Sequence, residues 1–368
     1  EIYTLSLHDA LPILAFKTSA IYNAAGKPMR TQHSFSGPCI HRDGHGFLGF
    51  REVTTKTSNN ANYINASTMK YSLEVMKDYA LLLPSTTETY VYPNDNENSV
   101  RSSKITYHFL NAVNSENSLV TCPALVKKEL KRYNVDNPSA GMLSKEITEN
   151  DYNYLLNADG QSATYTHEYN CTETRTGVHS TNVDDVADCD FRTTTTNEFY
   201  DIQVGSWILA RTRKQVTTQS MTGKEDKVNT IVLEYASNYN YQIRHKTDIP
   251  NTEQTQDRQT INTDYLYYPT GNLQSETISA PYGDQDEPQR TTMYEYGDDN
   301  KGRLVTKETI IAGELEYETS YSYDAHDNID TIVDQNGLVT SYNTNPIGIT
   351  SLTTNPDNTV IGEAYRWA

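Results

Sequence analysis

Apolar residues are scarce in this 368-residue chain: they make up 36% even with Tyr counted, and mean hydropathy is −0.69. No stretch approaches the roughly 18–20 apolar residues that span a bilayer. The best run, Tyr79 to Leu83, closes at Pro84. No membrane span is expected. Positive charge is short as well, with 30 Lys and Arg against 48 Asp and Glu, a net charge of 30 − 48 = −18. Nucleic acid is therefore not an expected partner, because phosphate binding needs a basic face. Cysteine is sparse: Cys39, Cys122, Cys171 and Cys189 lie 83, 49 and 18 residues apart. That spacing fits neither a dense disulfide framework nor a paired Cys-x-x-Cys zinc site. Unpaired thiols are the expectation, with a Cys171–Cys189 disulfide as the alternative. The basic, apolar and small-residue succession of a signal peptide is missing too, and the sequence neither indicates nor excludes export.

What is abundant is Tyr, 28 of 368 residues, set among many Thr. Disordered chains are poor in aromatic and β-branched residues, and both types favour strands. The charge excess is also small per residue (18/368, about 0.05). The composition therefore predicts a polar, all-β protein. Its length allows two or three domains, or one elongated repeat array.

Tyr-x-Tyr pairs supply such a repeat. Tyr265-Leu-Tyr267-Tyr268-Pro-Thr-Gly271-Asn272-Leu273 is followed by Tyr294-Glu-Tyr296, with Gly302-Arg303-Leu304 after it, and then by Tyr321-Ser-Tyr323-Asp324-Ala-His-Asp327-Asn328-Ile329. First tyrosines are separated by 294 − 265 = 29 and 321 − 294 = 27 residues. A degenerate copy starts at Tyr342, and a looser early one is read at Tyr239-Asn-Tyr241. Residues i and i+2 of a strand share a face, so each pair presents two rings to one side. The Asp, Asn and Gly that follow tolerate positive φ and reverse the chain. An apolar, Thr-rich return strand such as 304–311 comes next. One hairpin is marginal in water, so copies must pair edge to edge.

Upstream, segments 34–57, 86–92, 104–110, 162–169, 191–199 and 207–218 read as strands without a clear period. Segment 124–133 is left open to one short helix, because Leu125 and Leu130 do not decide the period. Segments 94–98 and 248–260 read as exposed loops. The first thirteen residues, Glu1 to Ile13, resemble the in-frame translation of a DNA-sequencing adapter and are set aside from fold reasoning. The alternative is a short native strand that buries Leu5, Leu7 and Leu11. The C-terminal end, Tyr365-Arg-Trp-Ala368, reads as a cut, and the chain as an internal fragment.

Motifs for chemistry are weak. Gly44-His-Gly46-Phe47-Leu48-Gly49 has the G-x-G-x-x-G spacing, yet Phe50 onward reads as a strand, whereas pyrophosphate binding needs a helix there. A glycine-kinked strand or bulge is expected. His33, Cys39, His41 and His45 are zinc-type ligands, but an incidental polar loop is the expectation. Asp184, Asp185, Asp188 and Asp190 read as a solvated loop, with weak Ca²⁺ binding as its chemical option. No nucleophile elbow, zincin or phosphate-loop motif is present, so neither an enzyme nor a cofactor is expected.

The repeat resembles the Rhs/YD-repeat family, whose signature is Tyr-Asp-x-x-Gly-x-Leu. Tyr321 to Ile329 is the nearest copy, with Asn328 read at the glycine position, and Gly302-Arg303-Leu304 keeps the turn end. Gly46-Phe47-Leu48-Gly49-Phe50 is similar to a segment in the B component of bacterial Tc toxins and in virulence-plasmid-type proteins. The resemblance implies an antiparallel YD-repeat β-sheet shell or solenoid fragment. The parts would be an adapter-derived segment 1–13, an irregular β region 14–200 and a YD-repeat sheet 201–368. It further implies a secreted or cell-surface structural protein whose shell encloses a C-terminal effector. The partners would be other parts of that shell, the effector and other toxin-complex subunits. An adhesion or glycan-binding YD module is the alternative. The family's self-cleaving aspartyl site has no counterpart here.

Overall fold

The computed structural model describes residues 2–4, 18–22, 28–41, 46–59, 62–76, 79–92, 98–114, 121–153, 155–156, 162–165, 170–201, 211–236, 242–250, 260–280, 289–300, 302–345, 348–354 and 359–362. The fold is all-β. Helix among the described residues is limited to the 3₁₀ turns Pro138–Ala140 and Val186–Asp188 and to the single turn Gly297–Asn300. No helix in them is long and apolar enough to cross a membrane. Two compact units are present, residues 1–210 with 217–227 and residues 211–216 with 228–368.

The first unit is built on long strands: β1 (Ile2–Thr4), β2 (Thr18–Tyr22), β3 (Pro28–His41), β4 (Gly46–Asn59), β5 (Asn62–Met76), β6 (Tyr79–Val91), β7 (Val100–Asn114), β8 (Thr121–Tyr133), β9 (Met142–Tyr152), β10 (Leu155–Leu156), β11 (Ser162–Tyr165), β12 (Cys171–His179) and β13 (Phe191–Phe199). From β3 to β9 each strand pairs antiparallel with the next. β12 then joins β9, and β13 joins β12. β1 and β2 pair with the two ends of β3, while β10 pairs with β11, which runs parallel to β7. Residues 2–4 thus sit in a strand. Leu5, Leu7 and Leu11, which decide the native-strand reading, lie outside the described residues.

Segment 124–133 is strand β8, not a helix. Its backbone is bonded on both sides, to β7 and β9. Its alternate residues Cys122, Ala124 and Val126 pack with Leu110 and Ala112. That period of two was hidden because a bulge at Val126 interrupts it: Leu125 faces Phe109 and Leu130 faces Ile105, so two leucines five residues apart share one face. A second cluster joins Ile147 of β9 to Val183, Val186 and Cys189.

β14 (Thr212–Met221) is divided between the units. The second continues with β15 (Lys227–Tyr235), β16 (Ile243–Pro250), β17 (Ile261–Tyr267), β18 (Leu273–Ser279), β19 (Gln289–Tyr296), β20 (Val305–Ala312), β21 (Leu315–Tyr323), β22 (Ile329–Val333), β23 (Val339–Asn345), β24 (Gly348–Thr354) and β25 (Thr359–Gly362). From β15 to β25 every strand pairs antiparallel with its successor. Asp248, expected in a loop, lies in β16 and pairs with Lys246 at 2.7 Å. Among the described residues of this unit Val228 is the one buried hydrophobic side chain; the others buried are Thr230, Thr263, Ser275, Ser279, Thr292 and Thr309. The alternation of Thr and Ser with Tyr and Glu makes a strand face without making a core.

The two clusters of the first unit set a local test. Ile147 is fully buried, whereas Leu143 on the same strand is 54% exposed. Ile147→Ala is expected to lower the stability of this unit by about 2–4 kcal/mol in urea unfolding. Leu143→Ala should change it by less than about 0.5 kcal/mol.

Candidate functional site

The functional candidate is the hairpin repeat of the second unit, and its geometry is more regular than its sequence. Tyr235, Tyr267, Tyr296 and Tyr323 end β15, β17, β19 and β21. At each of them the register slips by one residue. Tyr235 faces Ile243 while Glu234 faces His245, and the same step recurs at Leu266/Tyr267, Glu295/Tyr296 and Ser322/Tyr323. Arg244, Gln274, Thr306 and Asp330 are thereby the extra residues of four β-bulges, which sharpen the local twist. The residue after each tyrosine closes the turn. Ala236, Tyr268, Gly297 and Asp324 donate their N–H to the carbonyls of Gln242, Asn272, Leu304 and Asn328 at 2.8, 2.8, 3.3 and 2.9 Å.

The tyrosine hydroxyl finishes the motif by crossing to the preceding strand. Tyr235 donates to the carbonyl of Thr212 at 3.2 Å, Tyr267 to that of Ile243 at 2.8 Å, and Tyr323 to that of Val305 at 2.6 Å. Each acceptor is the first residue of a strand, where a carbonyl is short of ladder partners. Tyr296 packs edge-on against Tyr268, with ring centroids 6.2 Å apart. The Tyr342 copy keeps the bulge: Asn343 faces Ser351 and Thr344 faces Ile349, so Thr344 occupies the second-tyrosine place. The early copy is Leu233-Glu-Tyr235. Tyr239 and Tyr241, read from the sequence as that copy, lie outside the described residues.

First-position tyrosines share a face with carboxylates. Tyr265 stands opposite Glu276 and Tyr294 opposite Glu308, and the Tyr321 hydroxyl donates to Glu308 at 3.3 Å. Burial pushes the phenols of Tyr265, Tyr294 and Tyr321 up, and the neighbouring carboxylates push the same way. Burial also raises Tyr267, Tyr296 and Tyr323.

Successive turns are tied to one another. The Gln242 amide donates to the Gly271 carbonyl at 2.6 Å, the Asn272 amide to the Gly302 carbonyl at 2.7 Å, and Arg303 pairs with Asp327. A Cβ on Gly302 would stand 2.7 Å from the Gly297 carbonyl, so glycine is required there. Asn328 does not occupy the glycine position of its turn. The left-handed residue is Asp327 (φ 63°), matching Gly271 (φ 91°) two repeats earlier. Asp can hold this conformation where most side chains cannot, and the Asp324 carboxylate fixes the turn by accepting the N–H groups of His326 and Asn328 at 2.7 and 3.0 Å. A related turn escaped sequence reading: Asp334 accepts from Asn336 and Leu338 at 2.9 and 2.8 Å, with Gly337 at φ 77°. Its signal, Asp-x-x-Gly, was present without a tyrosine.

The remaining candidates are local structure. Cys39 faces Gly49 and Ile40 faces Phe47, which leaves Leu48 as a bulge residue between Gly46 (φ 84°) and Gly49 (φ 128°). Phe50 packs with Phe35 and Phe47 at centroid distances of 4.8 and 5.1 Å. A strand follows, so no helix N-terminus faces these glycines. His33 Nδ1 lies 3.0 Å from the Thr55 hydroxyl, Cys39 is buried, the side chain of His41 lies outside the description, and so does His45. Asp185 caps the 3₁₀ turn through Ala187 N–H at 2.8 Å, Asp184 pairs with Lys145, and Asp190 lies 3.3 Å from His179. Among the described residues no three His, Cys, Asp or Glu side chains are grouped to hold a metal ion. No disulfide joins any of the four cysteines. Cys189 packs on Gly177, six residues along β12 from Cys171 and thus about 20 Å away.

No family model and no curated protein matches the sequence. Solved structures do match in fold. The TcdB2-TccC3 crystal structure without its hypervariable C-terminal region superposes with a TM-score of 0.53 at 9% identity, covering 92% of this chain and 22% of that one. TcdB2-TccC3-Cdc42 gives 0.52 at 10% identity with the same coverage. The Photorhabdus luminescens Tc holotoxin pore gives 0.52 at 10%, covering 89% and 21%. The fold is therefore that of a Tc-toxin-like β-sheet, and the chain spans about a fifth of the length of the structures it matches.

The tyrosine contacts predict two behaviours. Tyr323→Phe and Tyr267→Phe should each cost the second unit about 0.5–1.5 kcal/mol, measured by chemical denaturation. The raised phenols favour the folded chain while the unfolded tyrosines remain neutral. That stabilisation is intact below about pH 10, the unfolded value, and is lost as pH rises through the raised folded values. The tyrosinate absorbance of these six phenols, taken as the difference from chains in which they are Phe, should therefore rise together with loss of β-sheet circular dichroism, not before it.

Proposed function

We propose that this chain is a wall segment of an Rhs/YD-type, Tc-toxin-like shell, and that its role is structural and not enzymatic. The observation that carries the reading is the eleven-strand antiparallel run β15–β25, whose hairpins are pinned by tyrosine and bulge instead of by a hydrophobic core, in a fold matching Tc toxin structures. A sheet whose exposed apolar residues include Leu266 (59%) and Met293 (42%) suits a wall continued and covered by the rest of a longer polypeptide. The full-length protein would then enclose a C-terminal effector, meet other toxin-complex subunits, and act outside the producing cell.

Adhesion or glycan binding is the weaker reading. Sugars are held by a ring face together with free polar groups, and here Tyr235, Tyr267 and Tyr323 have already committed their hydroxyls to backbone carbonyls.

The test is to recover the coding sequence on both sides, express the whole protein, and image it. A hollow β-shell that protects a C-terminal segment from protease is expected. A full-length protein with no enclosed volume, or with a C-terminal segment cleaved as fast as an isolated peptide, would sink the proposal. Taken out of its shell, the present chain should expose strand edges and self-associate. A compact, concentration-independent monomer in sedimentation would count against that.

A further inference from the structure

Between β12 and β13 the chain folds back over its own sheet. Val186 and Cys189 pack on Ile147 of β9, beside Val183. Gly177 of β12 lies directly beneath, where a Cβ would meet Cys189 Sγ at 2.5 Å and Val186 Cγ1 at 3.2 Å. Segment 180–190 carries little else that is apolar, and Asp184 is 93% exposed.

Its main fastening is a buried cation. The Lys145 side chain, on β9, is 1% exposed, and its ammonium donates to the Val183 carbonyl at 2.6 Å, to Asp184 at 3.3 Å and to Glu129 of β8 at 2.7 Å. An ammonium has three N–H donors, and here two land on the segment while the third is answered by Glu129. Lesser ties are Lys127 to the Asp184 carbonyl at 2.7 Å, Arg192 to the Ala187 carbonyl at 3.3 Å, and His179 with Asp190.

We propose that residues 180–190 form a releasable strap locked by the Lys145–Glu129 pair, and that acid opens it, uncovering Ile147, Gly177 and the Cys189 thiol while the sheet stays intact. β8, β9 and β12 are each bonded along both edges, whereas the strap is held by one small apolar contact, the Lys145 cluster and a few scattered hydrogen bonds, among them Thr222 N–H to the Asp190 carbonyl at 3.0 Å, so it opens at lower cost than the sheet. Burial opposes the charged form of Glu129, but the Lys145 hydrogen bond and charge outweigh it and hold its carboxyl below the ordinary range. Burial likewise opposes charge on Lys145, and Glu129 and Asp184 outweigh it and raise that group. The lock is thus complete at neutral pH, lost as pH falls through the lowered Glu129 value, and lost at the alkaline end as pH rises through the raised Lys145 value. The other charged or titratable groups facing the cluster are His108 on β7, Lys127 and Lys131 on β8, Glu149 on β9, Arg175 and His179 on β12, Arg192 on β13, and Asp184, Asp185, Asp188 and Asp190 on the strap.

The experiment reads Cys189 on the full chain with a disulfide reagent active in acid, mapped by peptide mass spectrometry and normalised to the denatured chain. Labelling is expected to rise about two- to threefold between about pH 7 and pH 4, and further as pH falls below that. Glu129→Gln should show the acid rate already at neutral pH and little further change on acidification. Backbone hydrogen exchange of β9 should stay slow throughout. Unchanged protection of Cys189 in Glu129→Gln would overturn the proposal. So would exposure of Cys189 only in step with β9 exchange. Should that variant misfold, exchange in the unaltered chain decides: amides of Asp188 and Cys189 opening ahead of β9 support the strap, and opening at the same rate as β9 refutes it.

Discussion

A tyrosine hydroxyl reaching the first carbonyl of the preceding strand is the contact on which the second unit depends. A sheet without a hydrophobic core has little to hold its register, because slipping by one residue merely exchanges two polar faces. Here the slip is prevented at one end of each hairpin. The bulge opposite Tyr235, Tyr267, Tyr296 and Tyr323 turns the strand end, and the phenol of three of them bonds to the first carbonyl of the preceding strand. Once that end is fixed the turn can vary, and it does: residues 236–242, 268–272, 297–304 and 324–328 all return the chain to the same place. The uneven spacing of the tyrosines is this tolerance written into the sequence.

The first unit meets the same difficulty with other chemistry. Its strands are longer and use small apolar clusters around Ala112, Ala124 and Ile147. Charge fills much of the remaining surface: Glu149 meets Lys127 and Arg175, and Glu88 meets Arg101 and Lys104. Exposed pairs of this kind add little stability each. Their value is in register, since a one-residue slip would part them, setting Glu88 opposite Ser103 or Ile105 instead of Lys104.

Fold class was legible because Tyr and Thr enrichment and the Tyr-x-Tyr period report directly on strands. The copy centred on Tyr321 was found, but its left-handed residue was misplaced by one: Asn and Asp are both tolerant of positive φ, and only the backbone distinguishes Asp327 from Asn328. Tyr235 was passed over because Leu233 replaces its partner ring. The ties from Gln242 to Gly271 and from Asn272 to Gly302 link positions 29 and 30 residues apart, a separation no local pattern encodes. Lys145 was invisible for the same reason, since a lysine is buried here only because a segment 38 residues downstream folds over it. Conversely, the glycines near Phe50 were correctly read as a bulge, because the strand sequence after them leaves no helix to hold a phosphate.

A sheet pinned in this way also explains how a fold can be matched at about 10% identity. Each hairpin asks for very few particular groups: a phenol at the strand end, a residue able to take positive φ in the turn, and a side chain that ties one turn to the next. Even these are exchangeable, as Thr344 for the tyrosine and Asp327 for glycine demonstrate. All other positions need only alternate and favour a strand. In a packed core, by contrast, each side chain constrains several others, and its volume cannot drift alone. A wall of hairpins is released from that constraint, so its length can change by whole repeats and its sequence can diverge while the strands continue to pair.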